Sequence, residues 1–171
     1  VYTIGNTSLC NEGYCYTFSL TDKSSNLTQG IIDSIPAKIS NDYSLNFSLI
    51  NNSSQTDAAE IFIANNANGL KLLQYEITDV DSRKLNGTIT GNKLSVPVGD
   101  MLKGATVLGK IDFTTLKEGI NNLEFKLNSQ SAGGKQTVFS KTFKLEVPPS
   151  QSMNLEILPS VIVPFIENEL I

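Results

Sequence analysis

Tyr14-Cys15-Tyr16-Thr17-Phe18-Ser19-Leu20 and Tyr43-Ser44-Leu45-Asn46-Phe47-Ser48-Leu49 set a large apolar side chain at every second position and mostly small or polar ones between. That period of two is the repeat of an extended strand with one face buried and one in water. Shorter runs of strand-forming residues follow at Glu60 to Ala64, Leu72 to Ile77, Lys84 to Thr90, Lys93 to Val98, Gly109 to Phe113, Asn122 to Leu127 and Thr137 to Val147. Asn68-Gly69, Asn86-Gly87, Lys117-Glu118-Gly119 and Gly133-Gly134 break them at short intervals, as turns do. Pro97 cannot donate to a ladder and predicts an edge strand or a bulge. A helical period is confined to a turn or two, near Asp100 to Thr106 or after Asp57. The corner at Leu116 to Gly119, followed by Leu123, Phe125 and Leu127 alternating with Glu124 and Lys126, suits a late strand of an immunoglobulin-like sandwich. The expected fold is all-β, an immunoglobulin-like sandwich of seven or more strands with an extended C-terminal tail strand.

The chain has 171 residues, enough for one full-sized core. Charged residues make up 18%, and seventeen Asn, eighteen Ser and fourteen Thr supply most of the polarity instead. Histidine and tryptophan are both absent, which removes the commonest general base and a frequent metal ligand. No catalytic residue, metal site or cofactor is expected. Carboxylate pairs such as Asp79 with Asp81, or Asp112 with Glu118, read as solvated surface acids rather than a hydrolytic pair. A net charge of −4 without any basic block argues against nucleic acid as a partner.

The chain opens at Val1 without a basic stretch and apolar run, so the expectation is a mature exported protein with no membrane insertion. Cys10 and Cys15 flank a Gly-containing turn and predict a small disulfide ring; without histidine or a third cysteine a metal site is implausible. Acceptor sequons for N-glycans stand at Asn6, Asn26, Asn46, Asn51, Asn52 and Asn86. Their placement counts for more than their number. Asn46 falls on the polar side of an alternating strand, Asn86 in an Asn-Gly turn, and Asn26, Asn51 and Asn52 in polar connectors.

Pro148-Pro149 ends the last alternating run and favours an extended spacer. The expected division is a head at 1–147, a Pro-rich linker at 148–152 and a tail at 153–171. The tail is unusually apolar, yet Pro159, Pro164, Glu156, Glu167 and Glu169 bar a membrane helix. Met153, Leu155, Ile157, Val161, Val163 and Phe165 all occupy odd positions, so an extended tail turns them to one face. Burying five or six of them contributes about 8 to 15 kcal/mol gross, before ordering costs. Two placements remain open: the tail completes its own sheet, or it is donated to another copy.

The combination of a sequon-rich all-β head, a Pro-Pro spacer and an alternating apolar tail resembles the subunit of the archaeal thread filament. The resemblance implies an immunoglobulin-like fold similar to bacterial type 1 pilins, donor-strand complementation between copies, and an extracellular cell-surface filament of N-glycosylated subunits. Type 1 pilins donate an amino-terminal strand, whereas the candidate donor here is C-terminal. The other reading is a secreted adhesive or carbohydrate-binding module whose tail closes its own sheet. An internal Lys–Asn cross-link depends on geometry that sequence does not supply.

Overall fold

A computed structural model describes residues 9–65, 68–131 and 134–149. Among these residues the regular structure is entirely strand. The elements are β1 (Leu9–Asn11), β2 (Tyr14–Asp22), β3 (Leu27–Gly30), β4 (Ser34–Pro36), β5 (Asp42–Asn51), β6 (Thr56–Asn65) and β7 (Leu70–Thr78). They continue with β8 (Lys84–Leu85), β9 (Thr88–Thr90), β10 (Lys93–Met101), β11 (Thr106–Thr115), β12 (Gly119–Ser131) and β13 (Gly134–Val147).

Two sheets form the sandwich. The first runs β1-β2-β5-β11-β7-β8, with β3 also on β2; the second runs β4-β13-β12-β6-β10-β9. All pairs are antiparallel except β4 with β13. The alternating residues do what their period requires: Tyr14, Tyr16, Phe18 and Leu20 of β2, and Tyr43, Leu45, Phe47 and Leu49 of β5, are buried. From the other sheet they meet Phe125, Phe139 and Phe143. Phe18 sits edge-on to Phe125 and to Phe143, with ring centroids 5.1 and 4.8 Å away. Edge-to-face geometry suits the quadrupoles of such rings, and these aromatics carry much of the buried apolar area.

Three details depart from the sequence expectation. Lys84 to Thr90 is two strands rather than one: β8 pairs with β7 in the first sheet, while β9 pairs with β10 in the second. Asn86-Gly87 is therefore a crossing between sheets, not a hairpin turn. Tyr75 latches it, its hydroxyl accepting from the Gly87 N–H at 2.6 Å and donating to the Gly87 carbonyl at 2.9 Å. A Cβ on Gly87 would lie 2.5 Å from the Ser95 carbonyl oxygen, so the close crossing requires glycine. The two helical possibilities are also corrected. Asp57 falls inside β6, and β10 and β11 are joined by a turn with Gly104 at φ +90°. Finally, β1, β3 and β4 are short strands too brief to show a period. Pro97 behaves as expected: β9 pairs with β10 only as far as Ser95, and the pairing with β6 slips between Pro97 and Gly99.

Candidate functional site

β1 and β2 are joined by a two-residue turn, Glu12 and Gly13, whose φ angles of 54° and 85° are those of a mirror-image hairpin turn. This register sets Cys10 directly opposite Cys15, and a disulfide joins them. Asn52 donates from Nδ2 to Cys15 Sγ at 3.2 Å, tying the hairpin to the end of β5.

The sequons divide by burial. Asn26, Asn52 and Asn86 are exposed, in the β2–β3 turn, just beyond β5 and in the inter-sheet crossing. Asn46 is half-buried on the outer face of β5 and donates to Thr21 Oγ1 at 3.1 Å. Asn51 sits apart from the other described sequons. It is fully buried, and its Nδ2 donates to the carbonyls of Ser54 at 2.9 Å and Met101 at 3.0 Å while Oδ1 accepts from the Ser53 N–H. The nitrogen a glycan would need is thus committed inside the protein. Asn6 lies outside the described residues, as do Met153, Leu155, Ile157, Val161, Val163 and Phe165.

The tail's point of departure is described. β4 runs parallel to the end of β13, with Ser34, Ile35 and Pro36 opposite Lys144, Leu145 and Glu146. The pairing continues at both ends: Lys144 N–H donates to the Asp33 carbonyl at 2.9 Å, and Ala37 N–H donates to the Glu146 carbonyl at 3.0 Å. Ser34 Oγ also donates to the Glu146 carboxylate. The side of the sandwich between β3 and β4 opens as a cleft of about 380 Å³. Its floor is core: Leu20, Ile35 and Tyr43, each at most 6% exposed. Its rim holds Leu27, which is 62% exposed, together with Lys38 and Pro148.

Two polar networks sit on the outer faces of the sheets. Asp112 points away from the core yet is only 1% exposed, because Ser44 Oγ (2.5 Å), Gln74 Nε2 (2.6 Å) and Lys23 Nζ (3.0 Å) close over it. Burial alone would raise its pKa; those three donors and the Lys23 charge outweigh burial and hold it below the ordinary value. Glu60 gathers Ser95 Oγ at 2.6 Å, Lys135 Nζ at 3.1 Å and Asn128 Nδ2 at 3.4 Å. Its pKa too is lowered, against the effect of burial, by the Ser95, Lys135 and Asn128 hydrogen bonds. The Glu60 carboxylate and Lys135 thus form a salt bridge on the outer face of the second sheet. Asp79 and Asp81 both turn to Arg83, at 3.1 and 3.3 Å, and brace a turn.

Sequence reasoning missed the cleft and the Asp112 network. A signal for the second existed, since Asp112 interrupts the apolar run Ile111 to Phe113. The cleft comes from residues of five segments that only the fold brings together.

No protein-family model matches the chain, and no curated protein does. Solved structures do. CaCohA2 from Clostridium acetobutylicum aligns with a TM-score of 0.50 and 14% identity, over 70% of this chain and 90% of that one. The cohesin module of a Clostridium perfringens family 33 glycoside hydrolase aligns at 0.48 and 14%, over 77% and 97%. The major pilin subunit of Bacillus cereus aligns at 0.48 and 13%, over 78% of this chain and 40% of that one. The chain is an all-β sandwich of the immunoglobulin-like kind, and at these identities the likeness is one of fold.

Proposed function

We propose that this protein is a structural subunit of an extracellular cell-surface filament, assembled head-to-tail by donation of the tail strand from one copy to the next. The observation that carries the reading is the placement of β4. A tail that closed its own sheet would have to turn back beside β13 directly after Val147. There β4 already takes the pairing groups of residues 144–146, and Pro148-Pro149 favours continuing outward. A tail with six apolar residues at odd positions suits strand addition to another copy's surface. Such a contact is heterologous and repeats without closing, which builds a filament. The fold likeness to a pilin subunit is compatible with this role, and the disulfide hairpin suits an oxidising location.

The test is the native assembly state. Full-length protein is expected as polymer that denaturant dissociates, and protein lacking residues 152–171 as non-polymeric. A stable full-length monomer overturns the reading.

A second reading, an adhesive or carbohydrate-binding module, draws on the cavity of about 560 Å³ beside β7. Gln74, Glu76, Asn86 and Lys110 offer it hydrogen-bonding groups above Leu73 and Ile89. Binding of the monomeric head to arrayed glycans would favour that reading.

A further inference from the structure

We infer that the cavity beside β7, about 560 Å³ in volume, holds the innermost sugars of a glycan carried by the chain's own Asn86. This rests on the sequon Asn86-Gly87-Thr88 and is independent of the filament reading. It gives the cavity of the second reading a tethered occupant in place of a free one. Three observations support it. First, the cavity lies where the first sheet is left open. β8 pairs with β7 only at Ile77 and Thr78, so among the described residues no strand flanks that side of β7 from Leu70 to Glu76. Leu73 is the unmatched residue of a bulge, since Gln74 opposes Asp112 and Leu72 opposes Phe113. Its side chain stays out of the core, 42% exposed, and Ile89 of β9 lines the same cavity at 38%. An open edge bordered by apolar side chains is a pairing hazard that a bulky cover removes.

Second, Asn86 lines the cavity itself and is exposed. Its amide has no hydrogen bond among the described residues, whereas those of Asn46 and Asn52 donate to Thr21 and Cys15. Asn26 lines neither this cavity nor the β3–β4 cleft. The backbone next to Asn86 is fixed, because Tyr75 Oη holds both polar groups of Gly87 and the Ser95 carbonyl leaves no room for a Cβ there. A glycan on Asn86 therefore starts from a set position beside the cavity. Third, the lining has the two kinds of surface a pyranose needs. Leu73 and Ile89 suit its C–H face, and Gln74, Glu76 and Lys110 can bond its hydroxyl groups. The site needs little intrinsic affinity, because a sugar on a short tether meets it at an effective concentration of about millimolar order.

The experiment is hydrogen exchange by mass spectrometry on the native full-length glycoprotein, with occupancy of Asn86 read from glycopeptides of the same sample. Asn86→Gln and Thr88→Ala remove the sequon through different side chains. Both are expected to speed exchange at least about fivefold in peptides spanning residues 72–77 and 85–90, while Asn26→Gln leaves those peptides unchanged. Leu73→Ser should keep the glycan and speed exchange in the same peptides. In the Asn86→Gln background it should add little, because the contact it removes is already gone. An unoccupied Asn86 overturns the inference. So does a glycan whose removal leaves both segments within about twofold of the parent rate, since that glycan projects into water. An effect of Leu73→Ser that is just as large without the glycan overturns it too. Binding of arrayed glycans to the fully glycosylated protein, abolished by Leu73→Ser, would give the cavity to foreign sugars and favour the second reading instead. None of these outcomes depends on the assembly state, so the filament reading is tested separately.

Discussion

The rings of Phe18 and Phe143 meet edge-on across the sandwich, 4.8 Å between centroids, one from each sheet and both almost fully buried. The contact fixes how β2 lies over β13, and so how the two sheet edges flanking the cleft are spaced. Phe143→Ala is expected to destabilise the head by about 3–5 kcal/mol, the range for a buried Phe left as a cavity. Chemical denaturation of the truncated head measures it. A cost within about 0.5 kcal/mol, typical of a surface site, would show that the sheets do not depend on this contact.

Acid should weaken the head through Asp22, Asp112 and Glu60. Each has a folded-state pKa below its unfolded value, so each stabilises the fold above the ordinary carboxylate range and loses that contribution as pH falls through the folded value. Asp22 is lowered from 3.8 to about 2: hydrogen bonds from Ser24, Asn41 and Ser25 outweigh its burial. Its share therefore disappears between those two values. Asp112→Ala, which leaves Ser44 and Gln74 without their acceptor, should cost about 1–3 kcal/mol at neutral pH and flatten the acid limb. Stability measured from pH 7 to 2 for both proteins decides this, and identical acid limbs would refute it.

The fold class was legible because alternation over β2 and β5 is long enough to define a face. What sequence could not give were elements whose pairing is set by neighbours. β4 is three residues held parallel to β13, and β8 and β9 belong to different sheets although Lys84 to Thr90 reads as one run. Asn51 shows the same limit at a single side chain. As sequence it is a sequon in a polar stretch, whereas in the fold it closes β5 and bonds to Met101, fifty positions away. The hairpin cysteines were readable, since a ring so short depends only on local geometry.

The Cys10–Cys15 bond should be present in the native protein. Alkylation without reduction should label neither thiol, and two labels would refute the bond. Its loss through Cys10→Ser with Cys15→Ser should cost about 2 kcal/mol by the chain-entropy estimate for so short a ring.

N-glycans are expected at Asn26, Asn52 and Asn86, whose side chains are exposed, and not at Asn51. Glycopeptide mapping of the native protein checks each site. A native mass equal to the bare 18.6 kDa chain would refute glycosylation altogether, and glycan on Asn51 would contradict its burial.

The tail's parity gives the sharpest test of strand donation. An extended strand buries alternate residues, so odd positions carry the apolar contacts and even ones face away. Val161→Asp and Val163→Asp should each weaken assembly strongly, because a carboxylate would enter an apolar surface without a partner, at about 1–3 kcal/mol or more per interface. That is roughly a tenfold to hundredfold loss in each subunit contact, and the losses recur along the filament. Asn154→Asp, on the other parity, should leave assembly within about twofold of the parent. The readout is the critical concentration for polymer formation, measured by sedimentation at constant salt. Free tail peptide, residues 152–171, should compete for the acceptor and shorten filaments, and the same peptide carrying Val163→Asp should not. Equal sensitivity at odd and even positions would mean that the tail associates by general apolar contact rather than as a strand.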